Sequence, residues 1–255
     1  MPSVAVISLA GGVGRTTLAA TLATLAARNG RSSLAVDWDP QNLLALHFGL
    51  QQPPAEGLAA NVAAGRPWQT SALRSAGGAL VLPFGRLTVD QLRDWYPQMA
   101  RERGWLAAQL SKIELDQTAG PSWTFIDTPR APSLLVEQAL LAADAAMLVL
   151  RADPGAMALL PEALAIAADK PVIAVINGFD ASRPLQQGVR AALLSRLGAR
   201  LAPHVVHRDE AVPEAFARLS SVADLAQHAQ ATHDLFGLMR WLEERLVAPG
   251  ADHVA

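Results

Sequence analysis

Short apolar runs alternate with longer stretches of helical spacing through most of this 255-residue chain. The runs at 4–9, 33–37, 80–83, 123–127, 145–150 and 172–176 are of strand length and apolar almost throughout, without a regular polar alternation. Strands of that kind are covered on both faces, as in a parallel sheet. A helical pattern over 16–28 follows the first run, and helical segments also precede the runs at 145 and 172. The pattern predicts an α/β fold: a doubly wound, mostly parallel sheet with helices on both faces and right-handed crossovers.

Residues 51–54 (Gln-Gln-Pro-Pro) read as a loop, and the Gly- and Ala-rich stretch 56–78 as a surface insertion between strands. Residues 1–248 form one expected domain, with 249–255 as a frayed tail. Over 234–247, Leu235, Leu238, Leu242 and Leu246 fall near one helical face. Glu243 and Glu244 balance Arg240 and Arg245, so a helix docked on the domain is expected over a basic, membrane-seeking one.

Half of the residues are apolar, enough for a sizeable core, and there is no cysteine. Thiol catalysis, Cys-ligated zinc and disulfides are therefore excluded. Basic residues are almost all arginine, with Lys112 and Lys170 the exceptions, and they are scattered in a chain of net charge -2. Nonspecific DNA binding uses clustered basic charge, so no nucleic-acid partner is expected. The N-terminus has no basic leader, and no run reaches the roughly 18 apolar residues of a spanning helix. A cytoplasmic protein is the expectation.

Between the first strand and the first helix stands Ala10-Gly11-Gly12-Val13-Gly14-Arg15-Thr16-Thr17. Glycines let backbone N–H groups curve around phosphates, and the helix N-terminus adds the positive end of its dipole. In that reading the Thr16 hydroxyl belongs on Mg²⁺ and Thr17 opens the helix. A Gly-rich turn with no ligand is the alternative, and the strand–loop–helix setting favours phosphate. Acids end two further strands, in Asp37-Trp38-Asp39-Pro40-Gln41 and in Ile126-Asp127-Thr128-Pro129-Arg130. Asp37 and Asp39 could also be plain helix caps. The run at 172–176 ends in Asn177, an amide otherwise ordinary in a turn. No histidine spacing suggests a metal site, and Ser8 has no nucleophile-elbow sequence around it.

The loop resembles the variant K-G-G-x-G-K-[ST] of the ParA/MinD group of ATPases at every position except its two lysines, replaced here by Ala10 and Arg15. The stretches at 37–48, 82–87 (Leu-Pro-Phe-Gly-Arg-Leu), 126–130 and 207–211 (His-Arg-Asp-Glu-Ala) together resemble the BcsQ family of bacterial cellulose-biosynthesis proteins, over roughly residues 4–245. The resemblance implies ATP and Mg²⁺ as cofactors. Gly11, Gly12, Val13, Gly14, Arg15, Thr16 and Thr17 would cradle the phosphates, with Thr16 and Asp127 at the metal. Asp39 would orient the attacking water and Asp37 would support the metal's shell. Asn177, and more loosely Arg208, would meet the base.

It further implies a homodimer closed by nucleotide, acting as an assembly switch at the cytosolic face of the inner membrane. Partners there would include BcsR and BcsE. Ala10 removes the lysine that in the group reaches the partner's phosphates, and Arg15 has a different donor geometry from lysine. Both predict that nucleotide binding is kept and hydrolysis is weak or absent. The alternative is a cycling ParA/MinD-type positioning or partitioning ATPase acting on DNA or membrane.

Overall fold

The first strand, Ser3–Ile7, is buried at every position, as are Ser33–Asp37, Trp123–Asp127 and Ala145–Leu150. Four fully covered strands of this kind need a layer of helices on each side. That is what the computed structural model, which describes residues 2–118 and 122–247, contains. The strands are β1 Ser3–Ile7, β2 Ser33–Asp37, β3 Leu73–Arg74, β4 Leu80–Leu82, β5 Trp123–Asp127, β6 Ala145–Leu150, β7 Val172–Phe179 and β8 Val206–His207. They form one sheet in the order β3-β4-β2-β5-β1-β6-β7-β8, parallel except where β3 turns back antiparallel on β4. The doubly wound parallel sheet expected from the sequence is the observed fold.

Ten α-helices accompany it among the described residues: α1 Arg15–Arg28, α2 Leu58–Ala63, α3 Val89–Arg101, α4 Trp105–Leu110, α5 Leu134–Ala142, α6 Pro154–Ile166, α7 Pro184–Leu197, α8 Ala211–Ala217, α9 Val222–Leu225 and α10 Gln230–Leu246. One core layer lies between the sheet and α2–α7, and the other between the sheet and α1, α9 and α10. Helix α1 is Ala- and Leu-rich and buried continuously from Leu18 to Ala26. Small residues at helix-favouring positions let α1 sit deep against the sheet with α10 across its back. Helix α10 buries Leu235, Leu238, Met239 and Leu242 there, so the C-terminal helix is docked.

The sheet order places the C-terminal ends of β2, β5, β1 and β6 side by side. Register pairs Val6 of β1 with Asp127 of β5, and Asp37 of β2 with the same Asp127. Loops leaving adjacent strands at this end face a common crevice, which is where open α/β sheets bind ligands.

Some expectations change. Helix α1 begins at Arg15, one residue earlier than its expected start at Thr16, and β1 ends at Ile7. Ser8 therefore follows the strand, and its hydroxyl accepts from the Ala10 N–H. Strands β3 and β8, of two residues each, carry too little pattern to be read. The stretch 56–78 is not a surface insertion: Leu58, Ala59 and Trp68 are buried in the core. Its anchor is a backbone contact, in which the Leu58 and Ala59 N–H groups donate to the Pro83 and Phe84 carbonyls. The expected frayed tail at 249–255 lies outside the described residues.

Candidate functional site

The loop leaving β1 curls because Gly12 and Gly14 take left-handed backbone conformations, with φ of 66° and 95°. At Gly14 a side chain is excluded twice over. The positive φ disfavours it, and a Cβ would collide with the Asn177 amide nitrogen. Helix α1 starts directly after Gly14 with no side-chain cap and no acid in its first turn. Its first N–H groups and dipole thus face the crevice uncompensated, an arrangement that favours an anion. Gly11 to Thr17 line one end of a cavity of about 960 Å3.

Arg15 is among the lining residues but is only 9% exposed, and its guanidinium is held by carbonyls of the protein. Nε donates to the Thr128 carbonyl and Nη1 to the Ala10 carbonyl, both at 2.9 Å. One planar fork thereby ties β1's loop to β5's, which a lysine ammonium could not do with the same geometry.

Asp127 ends β5 beneath the loop, fully buried. Burial is the main reason its acidity is weakened, to a pKa of about 7, with the Asp39 charge adding to the effect. The Thr16 hydroxyl, hydrogen-bonded to the carboxyl, and the Arg15 charge act the other way. Oδ1 of Asp127 has no hydrogen-bond partner among the described residues. A buried carboxylate oxygen left open beside a hydroxyl is what a hard divalent cation would occupy, so the donor set fits Mg²⁺.

Asp37, in register beside Asp127, has both oxygens engaged by backbone: Oδ1 accepts from Asp39 N–H at 3.1 Å and Oδ2 from Leu44 N–H at 2.9 Å. Its pKa is raised well above the usual carboxylate value, first by burial and then by the Asp127 charge. The carboxylate that resemblance assigns to the metal's shell thus holds the loop after β2 in shape. Asp39 lines the cavity, and its Oδ1 accepts from Gln41 N–H at 2.9 Å. Burial raises its pKa too, against that hydrogen bond and the Arg15 charge. Trp38, between the two acids, is buried and stacks on Trp105 at 5.9 Å, with Phe84 and Trp95 edge-on. That aromatic packing pins the segment carrying both acids against α3 and α4.

Asn177 also lines the cavity and donates Nδ2 to the Val13 carbonyl of the loop at 2.6 Å. Its Oδ1 and second N–H stay available for a ligand. Arg208 lines the same cavity, exposed, beside Glu210 at 3.2 Å. The structure therefore brings every residue singled out from the sequence to one crevice, with Asp37 just behind it.

Among the lining residues that the sequence did not single out are four polar or aromatic ones. Arg151, the first residue after β6, donates Nη2 to the Gly12 carbonyl at 2.8 Å. Arg130 stands exposed after β5. His47 and Phe216, both lining the cavity, pack ring to ring at 4.7 Å. The two arginines had a readable signal, a charge just past a strand run, whereas the ring pair joins segments far apart in sequence.

The sequence profile described as "Cellulose biosynthesis protein BcsQ" matches residues 1–242. The chain is 30% identical over 233 residues to "Cellulose biosynthesis protein BcsQ" of Escherichia coli (strain K12), covering 91% of this chain and 90% of that one. Among solved structures it is similar to the septum site-determining protein MinD complexed with Mg-ADP from Pyrococcus horikoshii OT3, with a TM-score of 0.77 and 18% identity. That match covers 95% of this chain and 96% of the other. Cobyrinic acid a,c-diamide synthase from Mycobacterium smegmatis, with bound ATP analog and magnesium, is similar at a TM-score of 0.74 and 19% identity. There the match covers 96% of this chain and 95% of the other. The fold is thus that of the MinD-like ATPases, and the chain belongs to the BcsQ family of cellulose-biosynthesis proteins.

Proposed function

We propose that this protein is an ATP- and Mg²⁺-binding assembly factor of a bacterial cellulose synthesis and secretion system, a homodimer closed by nucleotide and slow or inert in hydrolysis. The single observation that carries the reading is the unpaired Oδ1 of buried Asp127, standing with the Thr16 hydroxyl under an uncapped helix N-terminus. Family membership supplies the cellulose system, and similar folds solved with Mg-ADP or with an ATP analog and magnesium support the choice of ligand.

In this reading backbone N–H groups from Gly11 to Thr17 receive the phosphates, and Arg15 keeps the loop in shape and its charge nearby. Thr16 and Asp127 hold Mg²⁺, which when bound neutralises phosphate charge. Asp39 is placed to orient a water, while Asp37 acts at one remove by holding Asp39 and the loop to Leu44. Asn177 and Arg208 face the base. Weak turnover follows from a neutral Ala10 and from an Arg15 whose donors are already engaged by carbonyls. The partners would be cellulose-secretion subunits such as BcsR and BcsE, through which a cytoplasmic protein reaches the inner membrane. Among the described residues no helix is long and apolar enough to cross a membrane.

Light scattering of the purified protein with ATP–Mg²⁺, ADP–Mg²⁺ or neither, with phosphate release followed alongside, tests the reading. A stable dimer with ATP and little release is expected. Fast release from dimers that fall apart would favour the cycling positioning ATPase. No response to any nucleotide would sink both.

A further inference from the structure

Resting on the nucleotide reading, we infer that Arg130 and Arg151, and not Arg15, are the cations that meet the terminal phosphates of the bound nucleotide. Sheet order supplies the placement. The loop leaves β1, whose neighbours are β5 and β6. Arg130 lies three residues past the end of β5 and Arg151 one residue past the end of β6. The two residues thus follow the strands on either side of β1, and both line the cavity.

Their states differ from that of Arg15 in the way that matters for binding. Arg15 is buried, with two of its donors fixed on the Thr128 and Ala10 carbonyls. Moving it to a ligand would break the tie between two loops and leave those carbonyls unpaired. Arg151 is exposed and makes one hydrogen bond, to the Gly12 carbonyl, leaving most of its five N–H groups open. Arg130 is exposed and has no hydrogen-bond or ion-pair partner among the described residues. The site meanwhile carries the acids Asp39 and Asp127, which repel a polyphosphate. A planar guanidinium suits bidentate capture of phosphate oxygens, and exposed ones can swing to them at little structural cost.

The test is calorimetric titration with ATP, ADP and AMP, each with Mg²⁺, on the wild type, Arg130→Gln, Arg151→Gln and the corresponding lysine variants. Both positions are exposed, so neither substitution disturbs the core. Each glutamine variant is expected to weaken ATP about tenfold or more, to weaken ADP less, and to leave AMP within about twofold. Lysine should restore part of the loss. Equal losses for ATP and AMP, or a fall in melting temperature that tracks the loss, would assign these residues to loop structure and overturn the inference. So would variants that bind ATP as the wild type does. A wild type that binds none of the three nucleotides would instead overturn the proposed function.

Discussion

Asn177 donates its side-chain amide to the Val13 carbonyl at 2.6 Å, and in doing so closes over Gly14. The end of β7 and the phosphate loop are thereby one unit. Gly14→Ala is expected to cost about 1–3 kcal/mol of stability, from the positive φ and the collision together, and to lose most nucleotide affinity. Asn177→Ala removes the collision and leaves the φ strain. In a double-mutant cycle the penalty of Gly14→Ala should shrink when it is made together with Asn177→Ala, as contacting residues couple. Strict additivity in denaturant melts would show the two sites to be independent.

Asp127 and Asp37 lie in register on neighbouring strands, and the native fold keeps both from ionising easily. Asp127→Asn removes a buried charge, so the free protein should melt no lower than the wild type. The ability of Mg²⁺ to tighten nucleotide binding should fall by about tenfold or more, about 1.4 kcal/mol. Titrations with and without EDTA read this directly. Undiminished Mg²⁺ dependence would remove Asp127 from the metal site.

Burial lowers the pKa of His47 from 6.5 to about 4, against the hydrogen bond to the Ser220 backbone. The folded state thus prefers the neutral ring. This contribution is fully present above pH 6.5 and is lost as pH falls through 4, roughly 3 kcal/mol in all. Asp127 works oppositely, since a raised carboxyl pKa makes the fold more stable as pH falls from about 7 toward 4. A comparison with His47→Gln cancels that term. Denaturation at about pH 7 and about pH 4.5 should show the wild type losing most of the roughly 3 kcal/mol relative to the variant. Parallel losses would mean that His47 is already charged in the native protein.

Gly85 has φ of 85°, and a Cβ there would lie 2.5 Å from Ala60 Cβ and 2.8 Å from Gly57 N. This is where the chain after β4 touches the start of α2. Gly85→Ala should cost about 3 kcal/mol, combining left-handed strain with overpacking. Because α2 packs in the core layer opposite the one that holds α1, nucleotide affinity below the melting transition should stay near wild type. Urea denaturation and calorimetry together separate the two effects.

The sequence by itself determined the layer architecture, since continuous apolar runs between helical patterns can be buried only as a parallel sheet covered on both faces. It also marked the loop and its acids, because phosphate binding leaves a local signature of glycines and hydroxyls at a strand end. Tertiary structure decided what local pattern cannot carry. Arg15 reads as a phosphate cation in sequence, yet its donors meet carbonyls of two loops, one of them 113 residues away. Asp37 and Asp39 look alike as D-x-D, and only packing against Leu44 and Trp105 turned one toward backbone and left the other at the cavity. Arg130 and Arg151 became neighbours of the loop through strand order alone, which depends on which strands pair across the whole chain and not on any residue near them in sequence.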